Sequence, residues 1–227
     1  MRFWRTVLVI SLAINLVVLS SSLYRWMHRP TWWNGLKPNQ IREKYLRELP
    51  EAPNSIAIVG DSNVEMGEWS ELLGRHVLNR GIGGYGSPDI VRLVPDILRH
   101  RPQLVVLNIG GNDQDTLSTE TTVANYRKIV DPLLAAGTKV IFLSIFPRDS
   151  NLKAGEEHWS NERARQLNGE LKKLAAEKGC AYVDVFDKML DSRGELDRQL
   201  HDGDGIHINA AGHRIAAEAV KPFLPPE

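Results

Sequence analysis

The chain has 227 residues, 42% apolar and 25% charged, which allows one domain with a sizeable core plus an extra segment. Its 28 basic and 28 acidic residues give zero formal net charge, so nothing in the charge balance points to nucleic acid. The lone Cys180 excludes an intramolecular disulfide and a cysteine-pair zinc site.

The charge is unevenly spread. Residues 1–42 hold six basic residues and no Asp or Glu, leaving 22 bases against 28 acids, about −6, in the remainder. Within this basic segment residues 6–23 form an apolar stretch. As a helix it would span roughly 27 Å, close to the thickness of a bilayer core. Arg2 and Arg5 precede it, and Tyr24, Trp26, Trp32 and Trp33 follow, interleaved with Arg25, His28 and Arg29. Aromatic and basic residues at an apolar boundary suit a membrane interface. Residues 1–24 therefore read as a transmembrane signal-anchor. Two other readings compete: a cleaved signal peptide, with an apolar region over 7–19 and Ser20 and Ser22 at the cleavage site, and a buried helix. Asn15 in the middle counts against a span. Both leading readings put the rest of the chain outside the cytoplasm, either membrane-anchored with a periplasmic or extracellular domain or secreted after cleavage.

Residues 25–54 read as a connector punctuated by Pro30, Pro38, Pro50 and Pro53, with a short helix over 40–48. From residue 55 strands and helices alternate. Residues 55–59 are a short apolar run ending at Gly60, the pattern of a buried strand. A weaker strand is expected over 77–79, strong ones over 103–109 and 138–145, and a fifth over 180–185. Helices are expected over 88–99, 119–136, 160–178 and 209–223, two of them stopped by Gly137 and Gly179. Such alternation implies βαβ units: a three-layer α/β/α, flavodoxin-like sandwich on a mostly parallel five-stranded sheet, preceded by the N-terminal apolar helix. In such folds sites form beyond the carboxyl ends of the strands.

Four polar clusters fall at those ends or at the last helix. They are Gly60-Asp61-Ser62-Asn63, Asn79-Arg80-Gly81-Ile82-Gly83-Gly84, Gly110-Gly111-Asn112-Asp113 and Asp204-Gly205-Ile206-His207. Singly, each is an ordinary turn or cap. Together they supply a reaction. A serine hydroxyl needs a base to act as a nucleophile, and His207 offers Ser62 an imidazole, the side chain suited to that task. Asp204, three residues earlier, is suited to fix the imidazole tautomer. An acyl-transfer intermediate carries an oxyanion, for which the N–H groups of Ser62 and Gly84 and the Asn112 side-chain amide are candidate donors. This chemistry calls for no metal and no organic cofactor.

These four blocks, in this order, resemble the SGNH hydrolases, also called GDSL esterases/lipases. The likeness covers residues 55–223, within a domain read as 55–227. It implies the same fold, with Ser62 as nucleophile, His207 as base, Asp204 as its orienter, and Gly84 and Asn112 in the oxyanion hole. Gly-Ile-Gly-Gly at 81–84 and Phe-Pro-Arg at 146–148 look like the branch of platelet-activating-factor acetylhydrolase catalytic subunits. One departure is Asn63, where the family name implies Leu. The resemblance implies a serine esterase acting on a short acyl or acetyl ester of a carbohydrate or lipid through an acyl-enzyme. The alternative is a catalytically silent envelope protein that binds or assembles on the same fold.

Rivals from other classes fare worse. Gly-Ile-Gly-Gly-Tyr-Gly at 81–86 matches a dinucleotide fingerprint literally. It follows the second strand, however, and no acidic residue lies where a ribose would need one. Asp202-Gly203-Asp204-Gly205 is similar to a calcium loop but lacks the closing Glu. His76, His100, His201 and His213 have no partner at catalytic spacing and read as surface or structural. Asp61 reads as a helix cap, Asp113 as a brace of the Asn112 turn, and Tyr85 as a pocket wall. The polar loop 147–160, with Arg148, His158 and Trp159, reads as a connector or as a flap beside the site.

Overall fold

The computed structural model describes residue 11 and residues 15–24, 36–152 and 159–226. The chain divides into two units, Met1–Ile41 and Arg42–Glu227. In the first, residues 15–24 are helical. Their polar side chains turn back on the helix: Asn15 Nδ2 donates to the Ser11 carbonyl at 2.9 Å, Ser20 Oγ to that of Leu16 at 2.7 Å and Ser21 Oγ to that of Val18 at 2.9 Å. The apolar stretch 6–23 lies partly outside the described residues, and Trp26, Trp32 and Trp33 lie wholly outside them. Among the described residues no helix is long and apolar enough to cross a membrane.

In chain order the regular elements are α1 (Pro38–Glu48), β1 (Ile56–Gly60), α2 (Ser62–Glu65), α3 (Trp69–Leu73), β2 (Leu78–Gly81), α4 (Ser87–Arg99), β3 (Leu104–Asn108), α5 (Thr119–Ala135), β4 (Lys139–Leu143), α6 (Asn161–Glu177), β5 (Ala181–Val183) and α7 (Ala210–Val220). The five strands form one parallel sheet in the order β2-β1-β3-β4-β5. The expected sandwich is thus present.

Strand pleating explains the layers, since alternate side chains point to opposite faces. Ala57, Val59, Val105, Leu107, Val140 and Phe142 enter one core with residues of α1, α4, α5 and α6. Ile56, Ile58, Leu104, Val106, Ile141 and Leu143 enter the other, with residues of α2, α3 and α7. Every residue of β1 and β3 is buried, as parallel strands covered on both faces must be. A fully buried aliphatic side chain contributes about 1.5–3 kcal/mol, so the two cores dominate stability.

Three local expectations shift. The second strand runs on to Gly81, because β1 supplies a ladder as far as the Gly60–Gly81 pair. The fifth stops at Val183, because Ser144 Oγ rather than a neighbouring strand takes the Val185 N–H, at 3.0 Å. The last helix stops at Val220, and Pro222 leaves only a 3₁₀ turn, Lys221–Phe223. The segment read as a connector contributes to the second unit from Arg42 onward: Leu46 is in the core, with Leu49 and Ala52 packed against it.

Candidate active site

The chain leaves β1 for β2 on one side and returns to β3 on the other, so a crevice opens at the carboxyl end of β1. Ser62 sits there as the first residue of α2. Asp61 caps that helix, its Oδ1 accepting the Asn63 N–H at 3.0 Å. The short helix is held at its far end too. Asn79 Nδ2 lies 2.9, 3.1 and 3.0 Å from the carbonyls of Val64, Glu65 and Gly67, and Trp69 Nε1 donates to Val64 at 2.8 Å. Gly81 permits this closeness: a Cβ there would sit 2.1 Å from the Glu65 nitrogen.

His207 approaches from the loop before α7. Its Nε2 is 2.9 Å from Ser62 Oγ, and its Nδ1 is 2.5 Å from Asp204 Oδ2. Asp204 Oδ1 accepts the N–H groups of Ile206 and His207 at 2.8 and 2.9 Å, so one carboxylate shapes the loop and orients the ring. Burial raises the Asp204 pKa, but the His207 and Ile206 N–H groups and the imidazole outweigh it and hold the carboxyl at about 2. The ionised carboxylate favours a proton on Nδ1, leaving Nε2 to accept the serine proton. This arrangement is able to pass a proton from Ser62 to His207 without moving a heavy atom.

Gly84 follows β2 in the left-handed region, φ +75°, which glycine adopts without strain. Among the described residues no acceptor takes the N–H of Ser62 or Gly84. Asn112 opens a 3₁₀ turn after β3, and its Nδ2 donates to the Tyr85 carbonyl at 2.9 Å, leaving its second hydrogen free of that bond. The cavity beside Ser62 is lined by Asn63, Asn108, Asn112, Phe146, Arg148 and Ile206, among others, and measures about 20 Å³, room for a water molecule.

Other residues sort themselves. Asp113 ties two segments together, its Oδ1 accepting the Ser87 N–H at 2.8 Å. Tyr85, expected as a pocket wall, instead is buried against the α1 side: its phenol donates to Glu43, and the Arg92 guanidinium lies 5.7 Å from its ring centre. Arg148 lines the cavity and stacks 4.7 Å above Trp159, while His158 lies outside the described residues. His76 is exposed, and His100, His201 and His213 are buried in structural bonds.

Asn63, noted in the sequence as a departure from the family's Leu, lines the cavity and has a further role that sequence reasoning missed. Its Oδ1 accepts the Ile208 N–H at 2.9 Å and its Nδ2 reaches the Ile206 carbonyl at 3.4 Å. Its own carbonyl faces His213 Nε2 at 2.7 Å. The signals in the sequence are its place beside Ser62 and its departure from the family's Leu.

The geometry also speaks to the rivals. A dinucleotide fingerprint needs free N–H groups for phosphate. Here carboxylates take them: Glu65 takes Gly83 N–H, Asp89 takes Gly86 N–H and Asp113 takes Ser87 N–H. The loop 202–205 folds on His201, whose Nδ1 accepts the N–H groups of Gly203 and Gly205 at 2.9 and 3.2 Å. Among the described residues no three His, Cys, Asp or Glu side chains gather as metal ligands.

The sequence profile of the GDSL-like Lipase/Acylhydrolase family matches residues 58–215. The isoamyl acetate-hydrolyzing esterase of Saccharomyces cerevisiae is 23% identical over 160 residues, 61% of this chain; the match spans 64% of the yeast protein, under two thirds of its length. A Streptococcus pneumonia protein provisionally described as a platelet activating factor superposes with a TM-score of 0.71 at 25% identity, over 94% of this chain and 99% of that one. A mutant acetyl-xylooligosaccharide esterase from Geobacillus Stearmophilus superposes with a TM-score of 0.64 at 19% identity, over 78% and 96% of the two chains; this likeness concerns the fold alone.

Proposed function

The chain belongs to the GDSL-like lipase/acylhydrolase family, the SGNH hydrolases, and from that premise we propose that it is a serine esterase using Ser62, His207 and Asp204. The observation that carries this reading is the line of contacts from Ser62 Oγ to His207 Nε2, 2.9 Å, and from His207 Nδ1 to Asp204, 2.5 Å. In the proposed cycle His207 takes the Ser62 proton as the oxygen attacks an ester carbonyl. The tetrahedral oxyanion is received by the N–H groups of Ser62 and Gly84 and by Asn112 Nδ2. His207 then protonates the departing alcohol, leaving an acyl-enzyme. Water, deprotonated by the same imidazole, releases the acid.

A short acyl group, acetyl foremost, on a carbohydrate or lipid alcohol is the substrate class we favour. Two observations support it: the small cavity beside Ser62, and the acetate ester in the name of the yeast relative. Ser62→Ala is expected to abolish turnover of p-nitrophenyl acetate and labelling by a fluorophosphonate, with the circular dichroism spectrum unchanged. Retained turnover rejects the mechanism. A series of longer p-nitrophenyl esters tests the acyl preference; rates that rise with chain length reject it.

We also propose that the hydrolase works outside the cytoplasm, tethered by the N-terminal apolar stretch or released after its cleavage. The basic and aromatic flanks support this, as do Asn15, Ser20 and Ser21, whose amide N–H and hydroxyl groups donate to carbonyls of their own helix. Cell fractionation with protease accessibility tests it, and recovery solely from the cytosol rejects it.

A further inference from the structure

The loop after β2 carries Gly84 and meets Asn112, so its pose decides where two of the three oxyanion donors point. Glycine-rich backbone has no intrinsic preference for that pose. Something else must impose it. Glu65, on the same short helix as Ser62, reaches across with Oε2 to accept the Gly83 N–H at 2.5 Å. Its Oε1 lies 3.2 Å from Arg42 Nε, and the same Nε donates to the Gly81 carbonyl at 2.5 Å. Gly83 is packed between this carboxylate and the nucleophile: a Cβ there would lie 3.2 Å from Glu65 Oε2 and 3.7 Å from Ser62 Cβ. Next to Arg42 on α1, Glu43 accepts the Tyr85 phenol and is bound by Arg92 at 2.7 and 2.9 Å. The Tyr85 carbonyl in turn accepts from Asn112. The loop is therefore held at Gly81, Gly83 and Tyr85, and every hold leads back to one turn of α1.

We infer that Glu65, neutralised by Arg42, is a positioning residue: by holding the Gly83 N–H it fixes the Ile82–Gly83 peptide, and with it the turn from which the Gly84 N–H faces the oxyanion. This rests on the serine-esterase reading. Its logic is electrostatic as well as geometric. A carboxylate near a developing oxyanion opposes the reaction unless a cation offsets it, and the Arg42 guanidinium meets the Glu65 oxygen that Gly83 does not use. The charge-assisted bond to Gly83 is stronger than a neutral acceptor would make, and the Arg42 and Glu65 side chains are only partly exposed. Arg42 and Glu43 lie outside residues 58–215, the part of the chain that the family profile matches.

The experiment uses the full chain and compares p-nitrophenyl acetate kinetics with inhibition by a boronic acid, whose tetrahedral adduct on Ser62 presents an oxygen to the same donors. Glu65→Ala is expected to lower kcat by roughly tenfold or more, with KM within about twofold, and to weaken the boronic acid by a similar factor. Glu65→Gln keeps an acceptor for Gly83 and is expected to recover much of the loss. Arg42→Met, which leaves the carboxylate uncompensated, is expected to fall as Glu65→Ala does. If Glu65→Ala does not fold, Glu65→Gln and Arg42→Met decide the matter by the same two readouts. A kcat within twofold of the parent in both Glu65→Ala and Arg42→Met overturns the inference, as does a loss of kcat without a matching loss of boronic acid affinity. Ser62→Ala separates the two levels. If it stays active the esterase reading fails; if it is inactive while Glu65→Ala is fully active, only the role of Glu65 fails.

Discussion

Asn63 brackets His207: its side chain accepts the N–H of the residue after the histidine, Ile208, and donates to the carbonyl of the residue before it, Ile206, at 2.9 and 3.4 Å. The residue following the candidate nucleophile thus grips both shoulders of the candidate base. The distance from Ser62 Oγ to His207 Nε2 is then set by a connection of one peptide and one side chain rather than by the packing of distant elements. A leucine at this position has no means of making either bond.

Asn63→Leu is accordingly expected to lower kcat about tenfold while KM stays within about twofold, since the change falls on proton transfer and not on substrate contact. It also strips the Ile208 N–H of its acceptor, at a cost of about 1–3 kcal/mol. Steady-state kinetics with urea unfolding reads both. Loss of stability with kcat preserved would show that the loop holds His207 unaided.

Asn112→Ala is expected to lower kcat by roughly 10²–10³, the usual effect of losing one oxyanion donor. Asn112→Asp puts acceptor oxygens where the donor stood and is expected to do no better. A loss smaller than threefold in Asn112→Ala removes the residue from that role. The Tyr85 carbonyl also loses its partner, so a thermal midpoint is needed beside the rate to exclude a collapsed loop.

What was legible in the sequence shares a physical character. The sheet was legible because strands buried on both faces must be apolar throughout, as β1 and β3 are. The runs holding Ser62, Gly84, Asn112, Asp204 and His207 stand out in the sequence because their residue types suit one reaction, and the structure brings Ser62, His207 and Asp204 into contact. The supports were not legible. Arg42 meets Gly81 and Glu65 from far along the chain, and nothing local to Arg42 announces it. Tyr85 illustrates the converse error. Its position beside Gly84 suggested a pocket wall, but the direction of its ring is decided by Glu43 and Arg92, which no local pattern reveals.

Asp61 provides the pH dependence. It is buried, and burial drives its carboxyl up, from an ordinary 3.8 to about 6, although the Asn63 N–H and the charge of Arg148 pull the other way. Between about pH 4 and 6 the folded protein therefore keeps a proton that the unfolded chain has released, and bound protons favour the fold. This contribution is complete below the ordinary carboxylate range and disappears as pH rises through about 6. Asp61→Asn carries no such proton, yet its amide oxygen still accepts the Asn63 N–H and still caps the Ser62 helix. Urea unfolding of both proteins at intervals from pH 4 to 7 is expected to show the parent losing stability relative to Asp61→Asn across that window, with the difference levelling above it. Curves that stay parallel throughout mean that Asp61 is ionised over the whole range, with Arg148 outweighing burial. The carboxylate would then stand as a permanent negative charge one residue from Ser62.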